Sequence, residues 1–230
     1  MEGFFDFLSR MIESKAKGLN PHEKFVGYYE LLELLEKPGC AACSIIRRSL
    51  FYYLRVVFVE QLTVPEFRVP LQESLGYCPK HSELVRRTAQ KKLPRMGVAV
   101  VYEDLLGQVD KRLGTQDGIP IPLNCPLCSL ETELEEYAVQ LIADYCGDEE
   151  FQRQYLASEG VCLSHFQMIT EKVEGDGAEF LFVAQKQIVD RLLVQLHEFI
   201  RKQDHRYSKE ATTEAEASSS KRTIQFLVGD

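Results

Sequence analysis

Apolar residues recur along this chain with a period near 3.6, and that pattern predicts helices almost throughout. From Pro21 to Glu36 the stripe is Phe25, Tyr28, Tyr29, Leu32 and Leu35, closed by Pro38-Gly39. From Ser44 to Gln61 it is Ile45, Leu50, Tyr53, Leu54, Val57 and Phe58. The Val56–Val59 run has the β-branched character of a strand, but the surrounding period favours helix. A short helix from about Pro65 to Leu75, disturbed by Pro70, precedes two more over 79–93 and 96–113, which Pro94 separates. The second half predicts a helix from Pro126 to about Tyr145, a break at Gly147-Asp148, a short helix over 149–158, and a helix opening at Cys162. A long helix from about Ala178 to Asp204 follows.

The two ends read differently. Residues 1–20 hold Phe4, Phe5, Leu8, Met11 and Ile12 as a small amphipathic segment that packs on the body, having no dense basic face for a membrane. Residues 210–230 read as a flexible tail. Glu210 to Ser220 has no apolar stripe, and only Ile224, Phe226, Leu227 and Val228 offer a short docking segment.

The halves repeat. At an offset of 84, Ser74, Gly76, Cys78 and His81 meet Ser158, Gly160, Cys162 and His165; upstream, Tyr29-Glu30-Leu31-Leu32 resembles Tyr102-Glu103-Asp104-Leu105-Leu106. A unit of helix, CxxC, helix, short helix, CxxH, helix occurs twice, over 21–114 and 115–209. Thr115–Asn124, with Gly118, Pro120 and Pro122, is the linker. The expected fold is all-α: two pseudo-repeated helical lobes, each stapled by a Cys3His metal site.

Six of the seven cysteines carry this repeat. Cys40-x-x-Cys43 precedes Cys78-x-x-His81 by 34 residues, and Cys125-x-x-Cys128 precedes Cys162-x-x-His165 by 33. Three thiols and one imidazole are the donor set of a closed four-coordinate zinc site, and C-x-x-C lets one tight turn give two thiolates. Pro126 favours a helix start directly after Cys125, and Gly160 allows a chain reversal before Cys162. Cys162 and His165 then share the first turn of a helix, whose positive end favours thiolate. The nearest pairing is within each copy: Cys40, Cys43, Cys78 and His81 for one zinc, Cys125, Cys128, Cys162 and His165 for the other. An iron–sulfur cluster is an alternative, although clusters usually take four cysteines. Disulfides would leave both histidines without a role. A redox CxxC expects a βαβ setting that is lacking here. Ser44 and Ser129 stand where covalent haem attachment needs histidine. Cys146 reads as a buried structural thiol, and His22, His197 and His205 as scattered residues outside any ligand set.

Charge and composition narrow the setting. The apolar fraction of 45% and charged fraction of 27% are those of an ordinary soluble protein. The longest apolar runs are too short for a bilayer span. Glu2 and Asp6 stand where an export signal is basic, so thiols kept for metal point to the cytoplasm. Net charge is −8, divided between 17 Lys/Arg and 14 Asp/Glu in residues 1–114 and 10 and 21 in the remainder. The basic run Lys80, Arg86, Arg87, Lys91, Lys92 and Arg95 and the acidic run Glu131, Glu133, Glu135 and Glu136 read as solvated helix faces or as halves that attract each other. An acidic chain without a nucleic-acid motif argues against nucleic-acid binding.

The string Asn124-Cys-Pro-Leu-Cys128, the acidic helix, Gly147-Asp148-Glu149-Glu150-Phe151-x-Arg153 and Gly160-Val-Cys-Leu-Ser-His-Phe166 resembles an uncharacterised family of bacterial proteins with paired CPxC and GFCxxH boxes. Asp204-His205-Arg206 and Phe226-Leu227-Val228-Gly229 extend the resemblance, which is tight in the second repeat and loose in the first, where Cys40-Ala-Ala-Cys43 lacks the proline. It implies paired metal boxes and a bacterial cytoplasmic setting, and no activity.

Full coordination leaves no place for a substrate, so the favoured expectation is a non-catalytic interaction or adaptor module with two structural zincs and protein partners. The alternatives are a redox- or metal-responsive regulator, and a metalloenzyme with its site between the lobes. No phosphate loop, nucleophile elbow or HExxH motif supports catalysis.

Overall fold

The computed structural model describes residues 26–91, 93–115, 125–207 and 209–229. The expected amphipathic segment 1–20, residues 21–25 with His22, and linker residues 116–124 lie outside the described residues.

Every regular element among the described residues is helical. In chain order they are α1 (Val26–Leu35), α2 (Ala41–Arg55), a π-helical turn (Val56–Glu60), α3 (Pro65–Glu73), α4 (Pro79–Lys91), α5 (Arg95–Thr115), α6 (Pro126–Tyr145), α7 (Glu149–Ala157), α8 (Leu163–Thr170), α9 (Asp176–Lys202), a 3-10 turn (His205–Tyr207), α10 (Glu214–Ala217) and α11 (Ser219–Val228). The predicted helices that fall on the described residues are present. The Val56–Val59 ambiguity resolves as π-helix, with the Gln61 amide donating to the Val56 carbonyl at 2.9 Å.

The chain divides into two compact units that do not coincide with the two repeats. One comprises Met1–Ile45 and Glu135–Asp230, the other Ile46–Leu134. The first is thus built from the start of one repeat and most of the other. Its core holds Tyr28, Leu31, Ala138, Ile142, Tyr145, Phe151, Tyr155, Ile169 and Leu181, all at most 4% exposed. Asp148 closes the Gly147 break as the N-cap of α7, accepting from the Glu150 and Phe151 amides at 3.1 and 3.0 Å. The same carboxylate accepts from the Tyr28 hydroxyl at 2.6 Å, tying α1 to α7. Buried Tyr155 donates to Gln185 on α9, which in turn donates to the Val161 carbonyl at 2.9 Å. A β-carbon on Gly160 would stand 2.7 Å from the Gln185 Oε1, and its φ of +70° suits glycine, so the reversal before Cys162 is fixed by both space and backbone.

The second unit packs Leu50, Leu54, Val57, Phe58, Phe67, Leu71, Tyr77, Val85, Val101, Leu105 and Leu127. Gly97 lets α5 meet the π-helical turn, because a β-carbon there would lie 2.0 Å from the Phe58 carbonyl oxygen. Asp104 on α5 anchors α3, pairing with Arg68 at 2.6 Å and accepting from Gln72 at 2.6 Å.

The stretch expected to be a flexible tail is structured. Thr213 and Glu216 form a reciprocal capping box that starts α10, and Glu216, 9% exposed, pairs with Lys202 at 2.7 Å. Polar composition hid this because the anchoring is by charge and cap rather than by an apolar stripe. The docking expected of Lys221–Val228 is present: α11 packs on α9 and α8.

Candidate metal centres

The four first cysteines of the boxes occupy equivalent places. Cys40, Cys78, Cys125 and Cys162 each stand immediately before a helix, and Cys162 is the N-cap of α8. The carbonyls of Cys40, Cys78 and Cys162 accept the amides four residues on, at 3.0, 2.8 and 2.8 Å. The second ligand of each box, three residues later, falls on the first helical turn, so both side chains leave the helix on one side. The Cys43 amide reaches back to the Cys40 sulfur at 3.5 Å, as an N3 amide does to a capping group.

The boxes converge in two groups: Cys40, Cys43, Cys162 and His165, and Cys78, His81, Cys125 and Cys128. All eight expected ligands are gathered, but the expected partnership is exchanged. The CxxC of each repeat joins the CxxH of the other. Helix length supplies the reason. Twenty residues of α6 carry the chain about 30 Å from Cys125, whereas the nine residues of α7 span about half that. Tight turns at Gly147 and Gly160 add little reach, so Cys162 does not come back to Cys125. The same arithmetic holds for α2 with its π-helical extension and α3. Each compact unit consequently contains one complete group, as two lobes with one Cys3His set apiece require.

In both groups the histidine offers Nδ1. That of His165 lies 3.4, 3.4 and 3.1 Å from the sulfurs of Cys40, Cys43 and Cys162. That of His81 lies 3.3, 3.4 and 3.4 Å from those of Cys78, Cys125 and Cys128. Sulfur pairs stand 3.9 Å apart (Cys43 and Cys162) and 3.7 Å apart (Cys78 and Cys128). A tetrahedral zinc, with bonds of about 2.3 Å to sulfur and about 2.1 Å to nitrogen, sets sulfurs about 3.8 Å apart and nitrogen about 3.6 Å from sulfur. The sulfur edges match, and the ring nitrogens stand a few tenths of an ångström closer. All seven cysteines are free thiols. Cys146 is buried outside both groups and its thiol donates to the Ile142 carbonyl at 3.1 Å, as expected of a structural thiol.

The acidic run on α6 is more than a solvated face. Glu131 Oε2 lies 3.4 Å from His81 Nε2, and Glu135 Oε1 lies 3.3 Å from His165 Nε2. Both Nε2 atoms are buried and have no better-placed acceptor. The carboxylates thus favour the tautomer that keeps the proton on Nε2 and frees Nδ1 for a metal, the outer arrangement usual for metal-bound histidine. The sequence carried a signal for this: Cys128, Glu131 and Glu135 fall at i, i+3 and i+7 on one helical face. Lys80 also pairs with Glu131 at 2.6 Å, and Lys172 with Glu136 at 2.8 Å, so part of the opposed charge is spent locally.

Without a cation, three thiols this close compete for one negative charge. Hydrogen bonds from Cys40 and Cys43 pull the Cys162 thiol far below its ordinary range. The same bonding from Cys162 and Cys43, together with burial, pushes Cys40 far above it. Burial opposes charge on His165, yet bonding to Cys162 and Cys43 holds its ring up at about 10. Burial instead lowers His81. Beside the first group, the cavity touching Cys40 and Cys162 has a volume of about 50 Å³, far short of the roughly 300 Å³ of a small-molecule site. No helix among the described residues is long and apolar enough to cross a membrane.

No curated protein and no solved structure matches the chain. Residues 121–230, which carry the second repeat and the C-terminal helices, match a family of unknown function (DUF6062), in keeping with the resemblance read from the Cys-Pro-Leu-Cys and Gly-Val-Cys-Leu-Ser-His boxes.

Proposed function

We propose that this is a zinc-binding helical protein in which each compact unit is held by one Cys3His zinc, and that it serves as a protein-interaction or adaptor module. The carrying observation is that each group gathers three sulfurs and one ring nitrogen within 4.8 Å of one another, with sulfur–sulfur distances of 3.9 and 3.7 Å close to the edge of a tetrahedral zinc site. Bound zinc would supply structural cross-linking, replacing the repulsion among thiolates with attraction. Cys40, Cys43, Cys162 and His165 would hold one ion and Cys78, His81, Cys125 and Cys128 the other. Glu135 and Glu131 would orient the rings.

Four protein donors at each ion leave no open position, which speaks against catalysis. Surface features suit a partner. The outer side of α9 exposes Phe182, Val183, Leu193, Val194 and Ile200. A groove of about 560 Å³ between α4 and α5 is lined by Val85, Ala89, Val98 and Tyr102 together with Arg86 and Arg95. A second reading, a redox- or metal-responsive regulator, is favoured by one observation: Cys128 is exposed.

Elemental analysis of protein purified without air, paired with thiol counts on native and denatured samples, tests the reading. Two zincs per chain and six shielded thiols are expected. Iron with sulfide, or a metal-free chain with disulfides, would overturn it.

A further inference from the structure

The two donor groups are the same in composition and unlike in cover. In the first, Cys40, Cys162 and His165 are 4, 2 and 5% exposed, and Cys43 is partly covered. Its roof is the C-terminal end of α11. Helix α11 terminates in Gly229 at φ +87°, where a β-carbon would stand 3.4 Å from the Cys43 sulfur and 3.7 Å from that of Cys162. The backbone therefore lies directly over the two thiols, and α11 is held there by contacts with α8 and α9. In the second group Cys125 and His81 are buried and Cys78 is partly covered like Cys43, but Cys128 is exposed. Oxidation of a cysteine follows its thiolate character and its access to solvent. Metal binding makes all six sulfurs thiolates, so access decides between the groups.

We propose that Cys128 and Cys78 form a reversible oxidation site for small hydroperoxides, through which the second group releases its metal while the first retains its own. This rests on the zinc-binding reading above. The chemistry balances as follows. The Cys128 sulfur attacks the peroxide; an S–O bond forms, the O–O bond breaks, and the departing oxygen leaves as hydroxide, or as alkoxide from an alkyl hydroperoxide, and takes up a proton from solvent to give water or the alcohol. The Cys78 sulfur, 3.7 Å away, then attacks the sulfenic sulfur. An S–S bond forms, the S–O bond breaks, and hydroxide leaves, taking a proton from solvent to become water. Two electrons pass from the thiolate pair to the peroxide, and a dithiol reductant reverses the change. Loss of two of its three sulfur donors empties the second group. The first, under α11, keeps all of its donors.

The test uses the intact, metal-loaded chain and hydrogen peroxide at about one equivalent. Metal release is followed with a chromophoric chelator, and oxidised cysteines are located by peptide mass spectrometry. The expected result is loss of one of the two metals, a Cys78–Cys128 disulfide, unmodified Cys40, Cys43 and Cys162, and recovery on adding dithiothreitol and zinc. Release of both metals together, or first modification at Cys43 or Cys162, overturns this inference and leaves the zinc-binding reading standing. A chain purified without metal overturns both. A Gly229→Ala variant supplies a second readout: strain at a left-handed position over the first group should loosen its cover and raise oxidation of Cys43, with Cys128 unchanged.

Discussion

At the residue scale, the ligand positions repeat one local solution four times. A cysteine just before a helix and a second donor three residues later share the first turn, where the helix end stabilises negative charge. The glutamates beside the histidines are the less obvious part. Of the two ligand histidines, Glu135 approaches His165 and Glu131 approaches His81, so each can be tested alone. Glu135→Ala is expected to weaken metal at the Cys40, Cys43, Cys162 and His165 group by roughly 10- to 100-fold, the usual cost of an outer partner. Competition titration with a chelator of known affinity checks this. Equal weakening at both groups would show that the carboxylate acts through the fold instead of through the ring.

At the element scale, the connections carry much of the specificity. Asp148 caps α7 and receives the Tyr28 hydroxyl, so one carboxylate starts a helix and docks another. Asp148→Ala removes both, and the cap alone is worth about 1 kcal/mol. The loss on denaturation is expected to exceed that of Asp148→Ala made in a Tyr28→Phe background, and the double-mutant cycle measures the hydroxyl's share. Helices α10 and α11 show how the polar stretch was misread. Propensity and hydropathy see no core in Glu210–Ser220, whereas the structure uses a capping box, the pair of Lys202 with Glu216, and bonds from Arg222 to Gln195 and to the Ala215 carbonyl. Two of these partners, Lys202 and Gln195, lie in the neighbouring helix α9, beyond a local sequence window.

At the scale of the whole molecule, each donor group draws on both sides of the linker. Cys40 and Cys43 join Cys162 and His165; Cys78 and His81 join Cys125 and Cys128. A single cut within residues 116–124 therefore divides both ligand sets. Cleaved there, the two fragments are expected to stay together while metal is bound and to separate on chelation, as size-exclusion chromatography would reveal. Fragments that part with one metal each would instead restore the pairing within repeats.

The sequence by itself determined the helices before α10, the internal repeat, the eight candidate donor residues and their composition as two sets of three sulfurs and one nitrogen, because all of these follow from periodicity and short spacing. Gly160 and Pro126 were legible for the same reason: backbone restrictions act locally. Only the tertiary structure decided which CxxC meets which CxxH. The two repeats offer chemically identical boxes, so composition cannot choose between pairings; the lengths of α2 and α6 against those of α3 and α7 do. It alone also decided that Gly229 roofs one group while Cys128 stays exposed in the other, since cover is a property of packing and leaves no mark on the ligands themselves.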